Sequence, residues 1–189
     1  MPLSQLVRLP VLLVRRIAPT SGGRPWMASG AVGWLADNLS KEMTLLELGS
    51  GSSTAWYGAR VRKVVSVEPH AEWYQQVAES LRGMDNVDLL RVSIESALAD
   101  LQPMAFDVVI IDHAETPGDL TRLEALAAIG PDVKIVVLDD SDRLSYREAD
   151  AIMSSWSAQR YLSYRDRPLT PTETTIYTRE LNVTGFSRD

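Results

Sequence analysis

Cysteine is absent from the 189 residues, which excludes disulfides and thiolate metal sites outright. A chain without thiols suits a reducing cytoplasm. Histidine is almost as scarce, at two residues, so any imidazole chemistry rests on His70 or His113. Excess positive charge is missing too. The formal net charge is −6, which argues against nucleic acid as the main partner, since proteins that neutralise phosphates carry a basic surface. No apolar run is long enough to span a bilayer, and there is neither an internal repeat nor a low-complexity segment.

What remains is an ordinary globular composition, 45% hydrophobic and 23% charged, at a length that fits one domain with a full core. Charge is unevenly spread. Residues 1–36 hold four arginines and no acid, leaving the rest of the chain at −10. The arm 1–25, with Leu9-Pro10-Val11-Leu12-Leu13-Val14 followed by Arg15-Arg16, lacks the residue order of a signal peptide. It reads as a cap, a homodimer contact or a contact with an anionic membrane surface. The folded domain is expected over 26–181 and a tail over 182–189.

Within the domain, hydrophobic periodicity predicts an amphipathic helix from Trp26 to Leu39. Strands and helices then alternate. Strands are expected at Thr44–Leu48, Lys63–Glu68, Val87–Val92, Phe106–Asp112 and Lys134–Asp140. Helices are expected at Ser53–Ala59, Ala71–Leu81, from Ser93, at Leu120–Ile129 and at Tyr146–Trp156. The chain closes on two alternating, β-rich runs, Arg160–Arg165 and Thr174–Arg179, joined by Pro168-Leu169-Thr170-Pro171. Such a pattern predicts an α/β sheet, mostly parallel, with an antiparallel hairpin at its edge.

In an open parallel sheet, ligands sit beyond the C-terminal strand ends. Here those ends read Gly49-Ser50-Gly51, Glu68, Ser93, Asp112-His113 and Asp139-Asp140-Ser141, and all are polar. The first strand runs directly into a turn of tiny residues and a helix start, a junction suited to the polar part of a nucleotide-like ligand. Glu68 follows the turn by about twenty residues, the spacing at which an acid accepts the hydroxyls of a ribose. Asp112, Asp139 and Asp140 would repel one another without a cation or protons between them. Oxygen-only donors suit a hard ion such as Mg²⁺. His113, beside Asp112, is a candidate base because its ordinary pKa lies near neutrality.

The run Glu47-Leu48-Gly49-Ser50-Gly51-Ser52-Ser53-Thr54 resembles motif I of the class I S-adenosylmethionine-dependent methyltransferases. The resemblance continues through Val67-Glu68-Pro69, Phe106–Asp112, Val137-Leu138-Asp139-Asp140 and the closing hairpin. It implies a Rossmann-like, seven-stranded sheet with helices on both faces. It implies that Gly49, Ser50 and Gly51 lie under the methionine part of S-adenosylmethionine, helped by Ser53 and Thr54. Glu47 would orient the loop or meet the amino group, Glu68 with Pro69 would hold the ribose, and Ser93-Ile94 would flank the adenine. The acids Asp112, Asp139 and Asp140 further resemble the Mg²⁺ set of the metal-dependent O-methyltransferases, with Asp112 and His113 as catalytic residues. Glu115 stands where the catechol enzymes of that group place a lysine, which points away from catechols. The resulting expectation is O-methylation of a small molecule, sugar or natural product, in the cytoplasm or at its membrane surface. Two rivals share the pattern: an NAD-dependent oxidoreductase, and a non-catalytic binding protein on a methyltransferase fold.

Overall fold

The computed structural model describes residues 23–101, 106–166 and 169–179. Most of the arm and the tail 182–189 lie outside these residues, so the cap, dimer and membrane readings of the arm do too. Helix α1 spans Ser29–Asn38. Strands and helices then alternate as β1 Thr44–Leu48, α2 Ser52–Gly58, β2 Lys63–Val67, α3 Ala71–Ser80, β3 Val87–Leu90 and α4 Ile94–Leu101. They continue as β4 Val108–Ile111, α5 Arg122–Ala127 and β5 Ile135–Asp139. The segment expected as one helix from Tyr146 to Trp156 is instead a 3₁₀ turn, Leu144–Tyr146, and a short helix α6, Ala149–Ile152. The edge strand takes over at Ser157. The hairpin is longer than expected, with β6 Ser157–Asp166 and β7 Leu169–Thr178.

The seven strands lie in the order β3-β2-β1-β4-β5-β7-β6. β1 pairs in parallel with both β2 and β4, whereas β7 runs antiparallel to β5 and β6. The chain builds outward from β1 to β3 and then returns to β1's other side with β4. In open parallel sheets such a reversal, here between β1 and β4, is the general place for a ligand at the C-terminal strand ends.

β4 is Val-Val-Ile-Ile, buried throughout, because both sheet faces are covered. Alternation along each strand splits the core in two. Leu46, Leu48, Val109, Ile111, Val136 and Leu138 face the side of α4 and α5. Leu45, Val108, Ile110, Ile135 and Val137 face the side of α1 and α2. By the same period Glu47 and Asp139 belong to the α1–α2 face. Where α1 enters, the Ala28 amide donates to Thr174 Oγ1 of β7 at 2.9 Å, tying this helix over the hairpin. Among the described residues no helix is long and apolar enough to cross a membrane.

Candidate functional site

The turn after β1 is shaped by a close approach of backbones. Gly49 has φ +96°, and a Cβ there would lie 2.5 Å from the His113 nitrogen and 2.7 Å from the Asp112 carbonyl carbon. Those are backbone atoms and cannot swing aside, so the position admits only glycine. The Gly49 amide donates to Val67 O and the Asp112 amide to Leu48 O, extending the parallel ladder just past the strand ends. Three loops therefore meet at Gly49.

Beneath the turn, Glu47 is buried to 1% exposure. Its carboxylate accepts hydrogen bonds from Ser53 Oγ, Thr54 Oγ1 and Ser66 Oγ, each at 2.6 Å. Thr54 Oγ1 in turn accepts from the Gly51 amide. Glu47 thus fastens the turn to the start of α2 and to β2. Burial pushes its pKa up to about 7 against those three hydroxyls, which pull it down. Tyr57 points its hydroxyl into the same region, without a hydrogen-bond partner among the described residues. Burial and the charges of Glu47, Asp112 and Asp139 keep that phenol protonated.

On the neighbouring strand, Glu68 Oε1 accepts from the His70 amide at 2.9 Å and Oε2 from Ser50 Oγ at 3.3 Å. Glu68 and the glycine turn are therefore in direct contact. Burial raises the pKa of Glu68, opposed by these bonds. Trp73 of α3 donates its indole N–H to Ser50 O at 2.8 Å and closes this corner. Pro69 is half-buried beside it.

Ser93 and Ile94 sit at the next strand end, but their polar groups are already engaged. Ser93 Oγ caps α4 by accepting from the Ser96 amide. The amides of Ile94 and Glu95 donate to the Asp119 carboxylate at 2.9 and 3.1 Å. An adenine flanked by these residues would meet side-chain surface and the Ser93 hydroxyl, since the Ile94 amide points into Asp119.

The acid cluster departs furthest from expectation. Asp112, Asp139 and Asp140 do converge, but around Arg122, the first residue of α5, which is 1% exposed. Arg122 Nη2 donates to Asp112 Oδ1 at 2.9 Å, Nη1 to Asp139 O at 2.8 Å and Nε to His113 O at 2.9 Å. The Asp140 carboxylate lies 3.9 Å from Nη1. Asp139 Oδ1 also accepts from Thr174 Oγ1 at 2.7 Å, and burial with its neighbouring aspartates pushes its pKa up to about 8. Asp140 turns the chain in the left-handed region at φ 55°, which aspartate tolerates better than most residues, and pairs with Arg143. The Mg²⁺ set of Asp112, Asp139 and Asp140 is corrected accordingly. A guanidinium lies among these oxygens, and among the described residues no three acids, histidines or cysteines gather to hold an ion.

His113 is buried to 1% exposure. Its Nε2 lies 3.0 Å from the Leu120 carbonyl, which can only accept, so Nε2 carries the proton. The lone pair is on Nδ1, which has no partner among the described residues. Burial lowers the pKa of the ring, so the neutral form prevails. His70, by contrast, is exposed. Glu115, at the position of the catechol enzymes' lysine, accepts from the Arg122 amide at 2.8 Å and helps start α5.

Arg122, Asp119, Tyr57 and Thr174 were not legible as site residues. Only the N-terminus of α5 carries a local signal. Thr121-Arg122-Leu123-Glu124 is a capping box, with Thr121 N donating to Glu124 Oε2 and Glu124 N to Thr121 Oγ1.

Strand order, the reversal between β1 and β4 and the hairpin together define the fold class of the class I methyltransferases. Structural comparison agrees. A Klebsiella pneumoniae protein provisionally described as an O-methyltransferase superposes with TM-score 0.63 at 18% identity, covering 89% of this chain and 94% of that one. An rRNA methylase from Streptococcus thermophilus superposes with TM-score 0.59 at 18% identity, over 78% of this chain and 93% of that one. A provisionally described methyltransferase from Streptococcus mutans, in complex with SAH, gives TM-score 0.58 at 12% identity, over 77% of this chain and 94% of that one. At such identities the likeness shows the fold alone. No protein-family model matches the sequence, and no curated protein matches it. An rRNA methylase is among these neighbours, so the fold does not support the exclusion of nucleic acid drawn from the net charge.

Proposed function

We propose that this protein is an S-adenosylmethionine-dependent methyltransferase acting on a hydroxyl of a small molecule, sugar or natural product. The observation that carries the reading is the contact between the glycine turn and Glu68 across adjacent strand ends, 3.3 Å from Ser50 Oγ to Glu68 Oε2, at the switch point of this fold. In the proposed complex Gly49, Ser50 and Gly51 lie under the methionine part, with Ser53, Thr54 and Glu47 holding the turn in shape. Glu68 and Pro69 take the ribose, Ser93 and Ile94 border the adenine, and Asp112 lies beside Gly49. The cofactor, when bound, supplies a methyl group already activated on a sulfonium.

What the chain supplies is placement, dryness and a proton acceptor. His113 is the proposed base. Its Nδ1 lone pair is fixed by the Nε2 bond to Leu120 O, and its lowered pKa keeps that lone pair free at neutral pH. The proton of the acceptor hydroxyl would pass to Nδ1 of His113, while the bound cofactor would supply the methyl group. The preference for a small acceptor over RNA rests on the acidic charge of −6.

Calorimetric titration of the full chain with S-adenosylhomocysteine and, separately, with NAD tests this reading. The expected result is saturable binding of the former and none of the latter. Tight NAD binding without response to either form of the methyl cofactor would sink it.

A further inference from the structure

The acids at the ends of β4 and β5 come with a cation built into the chain. Arg122 reaches them from α5, and its guanidinium nitrogens face oxygens: the carbonyls of His113 and Asp139, the carboxylate of Asp112, and that of Asp140 at 3.9 Å, with the Tyr146 ring 5.9 Å from Cζ. Two carbonyls and two carboxylates at adjacent strand ends are the kind of hard-donor set that would otherwise suit a divalent ion. Asp139 Oδ1 and both Asp140 oxygens are met as well. Thr174 Oγ1 donates to Asp139, Thr172 Oγ1 to Asp140, and Arg143 pairs with Asp140 from the outer side. A divalent ion could enter only by displacing a guanidinium that is itself sealed from water.

We propose that Arg122 stands in for a divalent metal in this acid cluster. It is a positioning residue that fixes the Asp112 carboxylate and the strand-four and strand-five ends beside the cofactor, so that cofactor binding is independent of divalent metal. The two kinds of cation differ chemically. A bound Mg²⁺ keeps exchangeable positions open to a substrate oxygen. The guanidinium is planar and donates only hydrogen bonds, and three of its nitrogens are already engaged here. Activation of an acceptor hydroxyl therefore falls to a base, or to the acceptor's own reactivity.

The cofactor arm of this inference rests on the methyltransferase reading; the occupancy of the acid cluster does not. The test uses the purified full chain. Mn²⁺ binding is followed by electron paramagnetic resonance, and S-adenosylhomocysteine affinity by calorimetry with excess chelator or excess Mg²⁺. In the wild type the expected results are no stoichiometric Mn²⁺ site and the same affinity under both conditions. In Arg122→Met the affinity should fall roughly 10- to 100-fold, the range seen when groups that orient direct ligands are removed. Excess Mg²⁺ should then recover part of it by entering the vacated cluster, which a merely structural arginine would not allow. Arg122→Lys, which keeps a charge, gives an intermediate loss and serves if the Met variant does not fold. A stoichiometric Mn²⁺ site with chelator-sensitive affinity in the wild type would overturn the proposal, as would unchanged affinity in Arg122→Lys. Absence of any S-adenosylhomocysteine binding in the wild type overturns the cofactor reading instead, while the Mn²⁺ titration still decides what fills the cluster.

Discussion

Glu47→Gln sets two physical effects against each other. The carboxyl accepts three hydroxyl hydrogen bonds at 2.6 Å, a length typical of bonds to an ionised carboxylate. Its burial nevertheless pushes the pKa from 4.5 up to about 7. A pKa raised in the folded state means that folding favours the protonated form. The associated stability is fully present below about pH 4.5 and is lost as pH rises through about 7. The shift of about 2.5 units corresponds to roughly 3 kcal/mol once both states are ionised. Most of this, about 2–3 kcal/mol, is lost between pH 5 and pH 8.5. Glutamine keeps the shape, stays neutral and can still bond the hydroxyls, which rotate to suit. The assay is urea unfolding of both proteins across that pH range. With a slope of about 2 kcal/mol per molar urea, the variant's midpoint should gain about 1 M on the wild type's from the acid to the alkaline end. Taking the difference between the two proteins cancels Asp139, whose raised pKa acts in the same direction. A difference that stays flat with pH would refute the reasoning, because it would mean that three hydroxyls suffice to keep a fully buried carboxylate ionised.

Other outcomes follow from the same geometry. Gly49→Ala places a methyl group against the His113 and Asp112 backbone at a left-handed φ; it should cost several kcal/mol, about 3 or more, read as a lost or sharply lowered thermal transition. His113→Gln should reduce turnover of a hydroxyl acceptor about 10²-fold or more while leaving S-adenosylhomocysteine affinity near wild type; equal turnover would remove the base. Because burial lowers the His113 pKa, wild-type turnover should persist below the ordinary histidine range as pH falls, and a rate that declines above pH 7 on acidification would contradict that assignment.

The parts of the molecule that could be read from the sequence are those whose cause is local. β1 ends where it was expected, Thr44–Leu48, because an apolar run is preceded by the exposed turn Lys41-Glu42 and stopped by Gly49. The parallel order follows from strand–helix alternation, and the glycine turn from residues adjacent in the chain. Errors arose where tertiary contact overrides pattern. Tyr146 to Trp156 has apolar residues at helical spacing, yet only Ala149–Ile152 is α-helical, and Ser157 is already paired with Thr178. Pattern alone makes the hairpin too short because Ser157-Ala158-Gln159 of β6 and Leu169–Glu173 of β7, which contains Pro171, show no apolar alternation, and strand length there is set by pairing between β6 and β7.

The same division explains the site. Asp112, Asp139 and Asp140 announce themselves because each closes an apolar run, so their convergence can be inferred from topology. The sign and identity of what neutralises them cannot, since the counter-charge comes from a helix ten to eighteen positions away. Arg122 looks like any charged residue in a helix's first turn, and there it is misplaced by the usual rule, which favours acids at a helix N-terminus. That misplacement is the one trace it leaves. A cation at the positive end of α5 is tolerated here because Asp112 and Asp140 lie against it and two strand-end carbonyls accept from it. Breaking such a buried pair by removing one partner leaves an uncompensated charge, at a cost of about 3–5 kcal/mol. With Arg122 among them, these acids and carbonyls hold a guanidinium beside Gly49 where the acidic pattern alone suggests an ion. An arginine where the helix dipole disfavours it, just after a strand ending in aspartate, is therefore the feature that separates these two readings of one acidic motif.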